Sequence, residues 1–157
     1  MRLFHGTNET FENIELDKSR KGKDFGVGFY LTPSRLIAQA QAFKKAENFG
    51  GTPIVYEYEL NEVVLKTMNV KSFDCKDYTM EWAQFIRQNR QNRSRQQLHN
   101  YDVVVGPIAN DTVGYQIRRL EDGIISQEQF LQEIKYHHIT IQYMFGTEKS
   151  IEALKRV

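Results

Sequence analysis

Apolar and polar positions alternate in several short stretches of this chain, and each predicts a strand. Ile54, Tyr56, Tyr58 and Leu60 are interleaved with Val55, Glu57 and Glu59, the period of a half-buried strand. Ile139, Ile141, Tyr143 and Phe145 hold alternate positions of another, so Thr140, Gln142 and Met144 share its opposite face. Tyr101 to Val105 is a short apolar run closed by Gly106-Pro107, and Arg2 to His5 reads as a strand ending at Gly6. Gly26 and Gly28 bracket a turn that leads into a strand over Phe29 to Leu31, and Val63 to Val70 is read as one or two short strands.

Helical spacing marks the remaining elements. Thr32-Pro33-Ser34 is a helix start, with Thr32 as cap and Pro33 at the first helical position. Leu36, Ala40 and Phe43 follow at i, i+4 and i+7 and predict its apolar face, and Gly50-Gly51 ends it. Tyr78, Trp82, Phe85 and Ile86 place a helix over roughly Asp77 to Asn89. Val113, Ile117 and Leu120 predict another that stops near Gly123, and Ser126 to Gln129 forms a capping box ahead of Phe130, Leu131 and Ile134. Thr147 caps a last helix with Ile151 and Leu154 turned inward. Residues Asn8 to Lys23 are polar and irregular, anchored by Phe11, Ile14 and Leu16, and the cations Arg20, Lys21 and Lys23 suit an exposed loop. Strands and helices mix without a regular βαβ alternation, so the expected class is α+β, as a single domain over residues 1–157.

Composition narrows the field. A net charge of +1 gives no global attraction to nucleic acid or anionic membranes. The single cysteine, Cys75, excludes an internal disulfide and fits a reducing, cytoplasmic setting. No stretch approaches the roughly 20 apolar residues of a membrane span, and the N-terminus shows no secretion signal. His137-His138 has no companion ligands at zinc spacing and reads as a strand-start pair, so no metal is expected. His99 has no readable role, and Cys75 is taken as an inert thiol. The run Arg87 to Arg95 holds four arginines in nine residues but no aromatic, which favours a solvated helix end over a phosphate-binding surface.

Three segments carry the candidate chemistry: His5-Gly6-Thr7, Asp24-Phe25-Gly26-Val27-Gly28-Phe29-Tyr30-Leu31-Thr32, and Gln142-Tyr143-Met144-Phe145-Gly146-Thr147. Their order, with Tyr101 to Asp111, resembles the DUF3990 family of small prokaryotic proteins, itself similar to the ADP-ribosyltransferase-like superfamily with its His–Tyr–Glu triad. The resemblance implies a split antiparallel β-sheet core with flanking helices, and NAD as substrate. It matches His5, Tyr30 and Gln142 to the triad. His5 would bond an adenosine-ribose hydroxyl, the backbone of Gly6 the nicotinamide amide, and Tyr30 would stack on the nicotinamide, with Phe43 as a second aromatic. Thr7, Asp24, Phe25, Gly26, Gly28 and Phe29 complete the expected NAD-binding set. Apart from the resemblance, the two glycines of Asp24 to Phe29 suit a loop that presents backbone N–H groups to an anion. Asp102 and Asp111 are expected to orient site groups.

Glutamine at position 142 departs from the glutamate of many superfamily members. Its carbonyl oxygen accepts a ribose hydrogen bond but supplies no charge and no base. The expectation is therefore mono-ADP-ribosylation of a macromolecular acceptor rather than chain elongation. Family and size imply a bacterial toxin, of a toxin–antitoxin or phage-defence pair, restrained by a small antitoxin protein. Two other readings stand beside this one: an NAD-binding sensing module without transfer, and an RNA 2′-phosphotransferase.

Overall fold

The computed structural model describes residues 1–135 and 137–157. It is an α+β assembly of two sheets flanked by helices. The first sheet has the order β1-β3-β7, from Arg2–Thr7, Ile54–Leu60 and Leu154–Arg156, all antiparallel. The second has the order β2-β6-β5-β4, from Phe29–Leu31, Ile141–Phe145, Val103–Pro107 and Val70–Ser72. Its β4–β5 pair is parallel, so the core is mixed rather than wholly antiparallel. One backbone bridge, Phe4 to Thr32, joins the sheets at β1 and the end of β2.

Side-chain alternation explains how the layers stack. One face of the second sheet presents Val104 and Met144 to Trp82, Ile86, Val113, Ile117, Phe130 and Ile134. These come from α3 (Met80–Gln91), α4 (Asp111–Glu121) and α5 (Gln127–Ile134). The other face presents Leu31, Val103, Val105 and Phe145 to Leu3, Tyr58 and Leu60 of the first sheet. Leu3 and His5 lie on the same face of β1, so His5 looks into the space between the sheets.

The outer face of β1 is covered by α1 (Arg35–Phe49). Ser34, not Thr32, caps it, accepting from Ile37 N–H at 3.3 Å; Thr32 bridges Phe4 through its backbone, and its hydroxyl accepts from Ser34 N–H at 3.2 Å. Its buried side is Ala38 and Ala42 rather than the expected Leu36–Phe43 stripe; Leu36 is 77 % exposed and Phe43 61 %. The reason is Gly6. A Cβ there would sit 1.9 Å from the Ala38 carbonyl oxygen, so the backbones of α1 and β1 touch and only alanines fit between them. For the same reason Gly6 lies inside β1 instead of ending it.

Other boundaries shift for local reasons. Asn61 caps a short α2 (Glu62–Leu65) where strand was expected, by accepting from Val63 and Val64 N–H. The Thr147-capped α6 is only Glu148–Ile151, and Leu154 belongs to β7 because its strand pairs with β3. The strand after the His137-His138 pair begins at Ile141, so the pair precedes it. The Ser126 capping box and the Gly50 stop, at φ 82°, follow the sequence expectation.

Candidate functional site

A cleft of about 290 Å³ opens between β1, β2, the C-terminal half of α1 and the loop over residues 8–20. That size is at the lower edge of the range of small-molecule sites. His5 and Tyr30 line it together, with Thr7, Gly28 and Phe29 of the expected set. Lys45 and Phe49 reach it from α1, at the spacing that continues the Ala38–Ala42 face. Phe43 is on another face of α1 and is not among the lining residues, so Phe49 is the α1 aromatic at the cleft.

His5 Nδ1 lies 2.7 Å from the Tyr30 carbonyl oxygen. A carbonyl only accepts, so Nδ1 carries the proton and Nε2 keeps its lone pair. Phe29 stacks on the imidazole at 4.3 Å and Phe11 meets its edge at 5.9 Å. Burial, followed by the charge of Lys45, lowers the His5 pKa to about 3, so the ring is neutral at physiological pH.

Tyr30 is held through its hydroxyl, which donates to the Gly26 carbonyl at 2.6 Å and accepts from Phe25 N–H at 3.0 Å. Burial pushes its pKa well up, so it remains a phenol. Lys23 Nζ stands over the ring at 4.8 Å, a cation–π contact. The glycine loop is built around this tyrosine. Gly26 has φ 94°, and a Cβ there would meet Gln97 Oε1 at 2.1 Å. The loop's amides are consumed internally: Phe25 N–H by Tyr30, Gly26 N–H by the Lys23 carbonyl, Val27 N–H by Gln97 Oε1, and Gly28 N–H by Ser19 Oγ. They are not presented to an anion, contrary to expectation. Phe25 itself is fully buried in the core, with Phe73 and Phe85 about its ring.

Gln142 stands on the same sheet face as Tyr30, since Tyr30 pairs with Met144 two residues along β6. It is half-buried and is not among the residues lining the cleft. Its Nε2 donates to Asp24 Oδ2 at 3.3 Å and toward the Pro107 carbonyl at 3.5 Å. Both neighbours are acceptors, which fixes the amide orientation and turns Oε1 away from them. Asp24 is in turn paired with Arg90 Nε at 2.7 Å.

The arginines have a part in this architecture that no local sequence pattern marks. Arg90 holds Asp24, Arg87 reaches Glu121 at 3.9 Å, and Arg95 donates to the Ser19 and Leu16 carbonyls. At the loop's other end Arg156 donates to the Phe11 carbonyl at 2.8 Å and stacks over Tyr56 at 4.3 Å. The cleft loop is thus stapled at both ends by arginines from distant segments. Lys23 was expected in solvent but is half-buried, its pKa lowered to about 8 by burial and by Lys45. Gly6 contributes its carbonyl to Lys45 Nζ at 2.7 Å.

Asp102 and Asp111 lie elsewhere. Asp102 accepts from Asn69 N–H and the Thr147 hydroxyl, tying β4, β5 and α6, and the Asn69 bond keeps its pKa low. Asp111 is exposed beside Lys44. His99 bonds the Phe25 carbonyl at 2.8 Å. Cys75 is exposed, and partial burial of its thiol, with Asp74 nearby, raises its pKa. No group of three metal-ligating side chains occurs among the described residues. No described helix is long and apolar enough to cross a membrane.

The family model described as "Protein of unknown function (DUF3990)" matches residues 1–156, and the chain belongs to that family. No curated protein and no solved structure matches it.

Proposed function

We propose that the protein is an NAD-dependent mono-ADP-ribosyltransferase that acts as a bacterial toxin on a macromolecular acceptor, with an antitoxin partner. The observation that carries this reading is the joint placement of His5 and Tyr30 in one cleft, bonded at 2.7 Å, with Gln142 on the sheet face of Tyr30. The superfamily resemblance assigns those three positions to NAD.

In this reading His5 Nε2 accepts a hydrogen bond from an adenosine-ribose hydroxyl, a role that the neutral tautomer supports. The nicotinamide stacks on Tyr30, which requires Lys23 to swing off the ring. Gln142 Oε1 accepts from the nicotinamide-ribose hydroxyl. The glycosidic C–N bond then breaks, neutral nicotinamide leaves with the electron pair, and the acceptor nucleophile bonds the anomeric carbon and gives its proton to solvent. Gln142 cannot take that proton, so rate comes from positioning and from dipoles around the developing oxocarbenium.

A second reading, an NAD-binding module without transfer, draws support from Gln142 itself. Its amide is engaged by Asp24 and Pro107, and it stands outside the lining of the cleft. Calorimetric titration with NAD, paired with an assay of nicotinamide release in cell lysate, separates the two. Binding with release supports the transferase, binding without release the sensing module, and no binding defeats both.

A further inference from the structure

Three cations converge on the cleft from two elements: Arg20 and Lys23 from the loop, and Lys45 from α1. Among the described residues none of the three is ion-paired with a carboxylate. Each is held by something neutral instead: Arg20 over the Phe49 ring at 4.8 Å, Lys23 over Tyr30 at 4.8 Å, and Lys45 on the Gly6 carbonyl at 2.7 Å. The carboxylates at the rim are Glu9 and Glu15, and Glu15 is already paired with Lys18 at 2.9 Å. Glu9 acts on Lys45 more weakly than Arg20 does.

The three charges also press on one another. Burial, then Lys45 and Arg20, lower the Lys23 pKa to about 8, and burial and Arg20 lower that of Lys45. Asp24 beside Lys23 and Glu9 beside Lys45 offset this only in part, and positive charges gathered in a partly desolvated cleft with so little counter-charge are costly unless an anion completes them. Lys23 stays largely protonated at pH 7, so the cluster remains cationic. Beside it stands an aromatic wall of His5, Phe11 and Phe29. A ligand that satisfies both has phosphoryl oxygens and a flat ring.

We propose that Arg20, Lys23 and Lys45 form a phosphoryl-binding site that takes the phosphate or diphosphate of a nucleotide. It shares the cleft of the NAD reading but needs no transfer chemistry. Lys45, anchored on Gly6, is the fixed point of the site. Lys23 leaves the Tyr30 ring for the phosphoryl oxygens, which at the same time uncovers that ring.

The test is calorimetric titration of the full chain with inorganic phosphate, pyrophosphate, ADP and adenosine. Lys23→Gln, Lys45→Gln and Arg20→Gln are compared with the wild type, and Lys21→Gln, an exposed residue outside the cleft, is the control. Melting curves confirm that each variant folds; Arg20, already exposed, keeps the test open if a lysine variant does not. Pyrophosphate and ADP should bind and adenosine should bind at least about tenfold more weakly. Each of the three substitutions should cost about tenfold, as loss of one charge-assisted hydrogen bond predicts. Preference for phosphate over pyrophosphate would assign a monophosphate. Failure of the wild type to bind any of the phosphorylated probes, or equal binding by the folded variants, overturns the proposal. Nicotinamide release from NAD is scored separately. Its absence with intact ADP binding removes only the transferase, and its presence with intact pyrophosphate affinity in the variants removes only this site.

Discussion

Gln142 and Asp24 meet across 118 residues of sequence, amide nitrogen to carboxylate oxygen at 3.3 Å. The contact determines what position 142 tolerates. A glutamine offers Asp24 an N–H; a glutamate would set a second carboxylate against it, while Arg90 is already paired with Asp24. Gln142→Glu is therefore expected to lower stability at pH 7 by about 1 kcal/mol and to recover it on acidification. The like charge raises the folded-state pKa of the new carboxyl, so its contribution worsens as pH rises above the carboxylate range. Denaturant unfolding at pH 7 and pH 4.5 reads this. A double variant with Asp24→Asn should regain the loss, and additive costs in that cycle would show that the two side chains do not interact.

His5 makes the cleft acid-sensitive. Its unfolded-state pKa near 6.5 falls to about 3 in the fold. The unfolded chain therefore takes up a proton that the folded chain refuses, and stability declines as pH drops from about 6.5 to 3. The slope approaches ~1.4 kcal/mol per pH unit for one proton. His99, also lowered by burial, adds to the same trend. His5→Gln should flatten the curve in this window, and identical slopes for wild type and variant would contradict the assignment.

Tyr30→Phe removes one hydroxyl and leaves two backbone groups, Phe25 N–H and the Gly26 carbonyl, without that partner. The expected cost is about 2 kcal/mol. Hydrogen exchange should show faster opening confined to residues 24–28. Uniform exchange across the protein would mean that the hydroxyl does not organise this loop.

Gly6→Ala tests the contact between α1 and β1. Its Cβ would lie 1.9 Å from the Ala38 carbonyl oxygen, a backbone atom with little room to yield. A loss of about 3 kcal/mol follows from overpacking. An unchanged melting temperature would show that the helix does not press on the strand there.

These relationships explain what could be read in advance. The capping box at Ser126, the Ile54–Leu60 strand and the glycine stop at Gly50 depend on neighbours within a few residues, and the chain spells them out. The face of α1 was not legible, because it is set by Gly6, some thirty residues away, rather than by its own periodicity. His5 and Tyr30 stood out through the resemblance of their motifs, and they share the cleft. Lys45 and Phe49 carry no local signal that distinguishes them from surface residues, and Phe11 reads only as an anchor of its loop. Only the crossing of α1 and the arginine-stapled loop over the sheets brings them together. The arginine run misled in the same way: Arg90 and Arg95 find Asp24, Leu16 and Ser19 more than sixty residues upstream.

The most direct measurement is transfer from NAD labelled in its adenosine half, in cell lysate, by wild type, His5→Ala and Gln142→Ala. Label is expected in macromolecules with the wild type alone, and nuclease or protease sensitivity then names the acceptor class. Folded wild type that releases no nicotinamide and leaves no label on any macromolecule would contradict it.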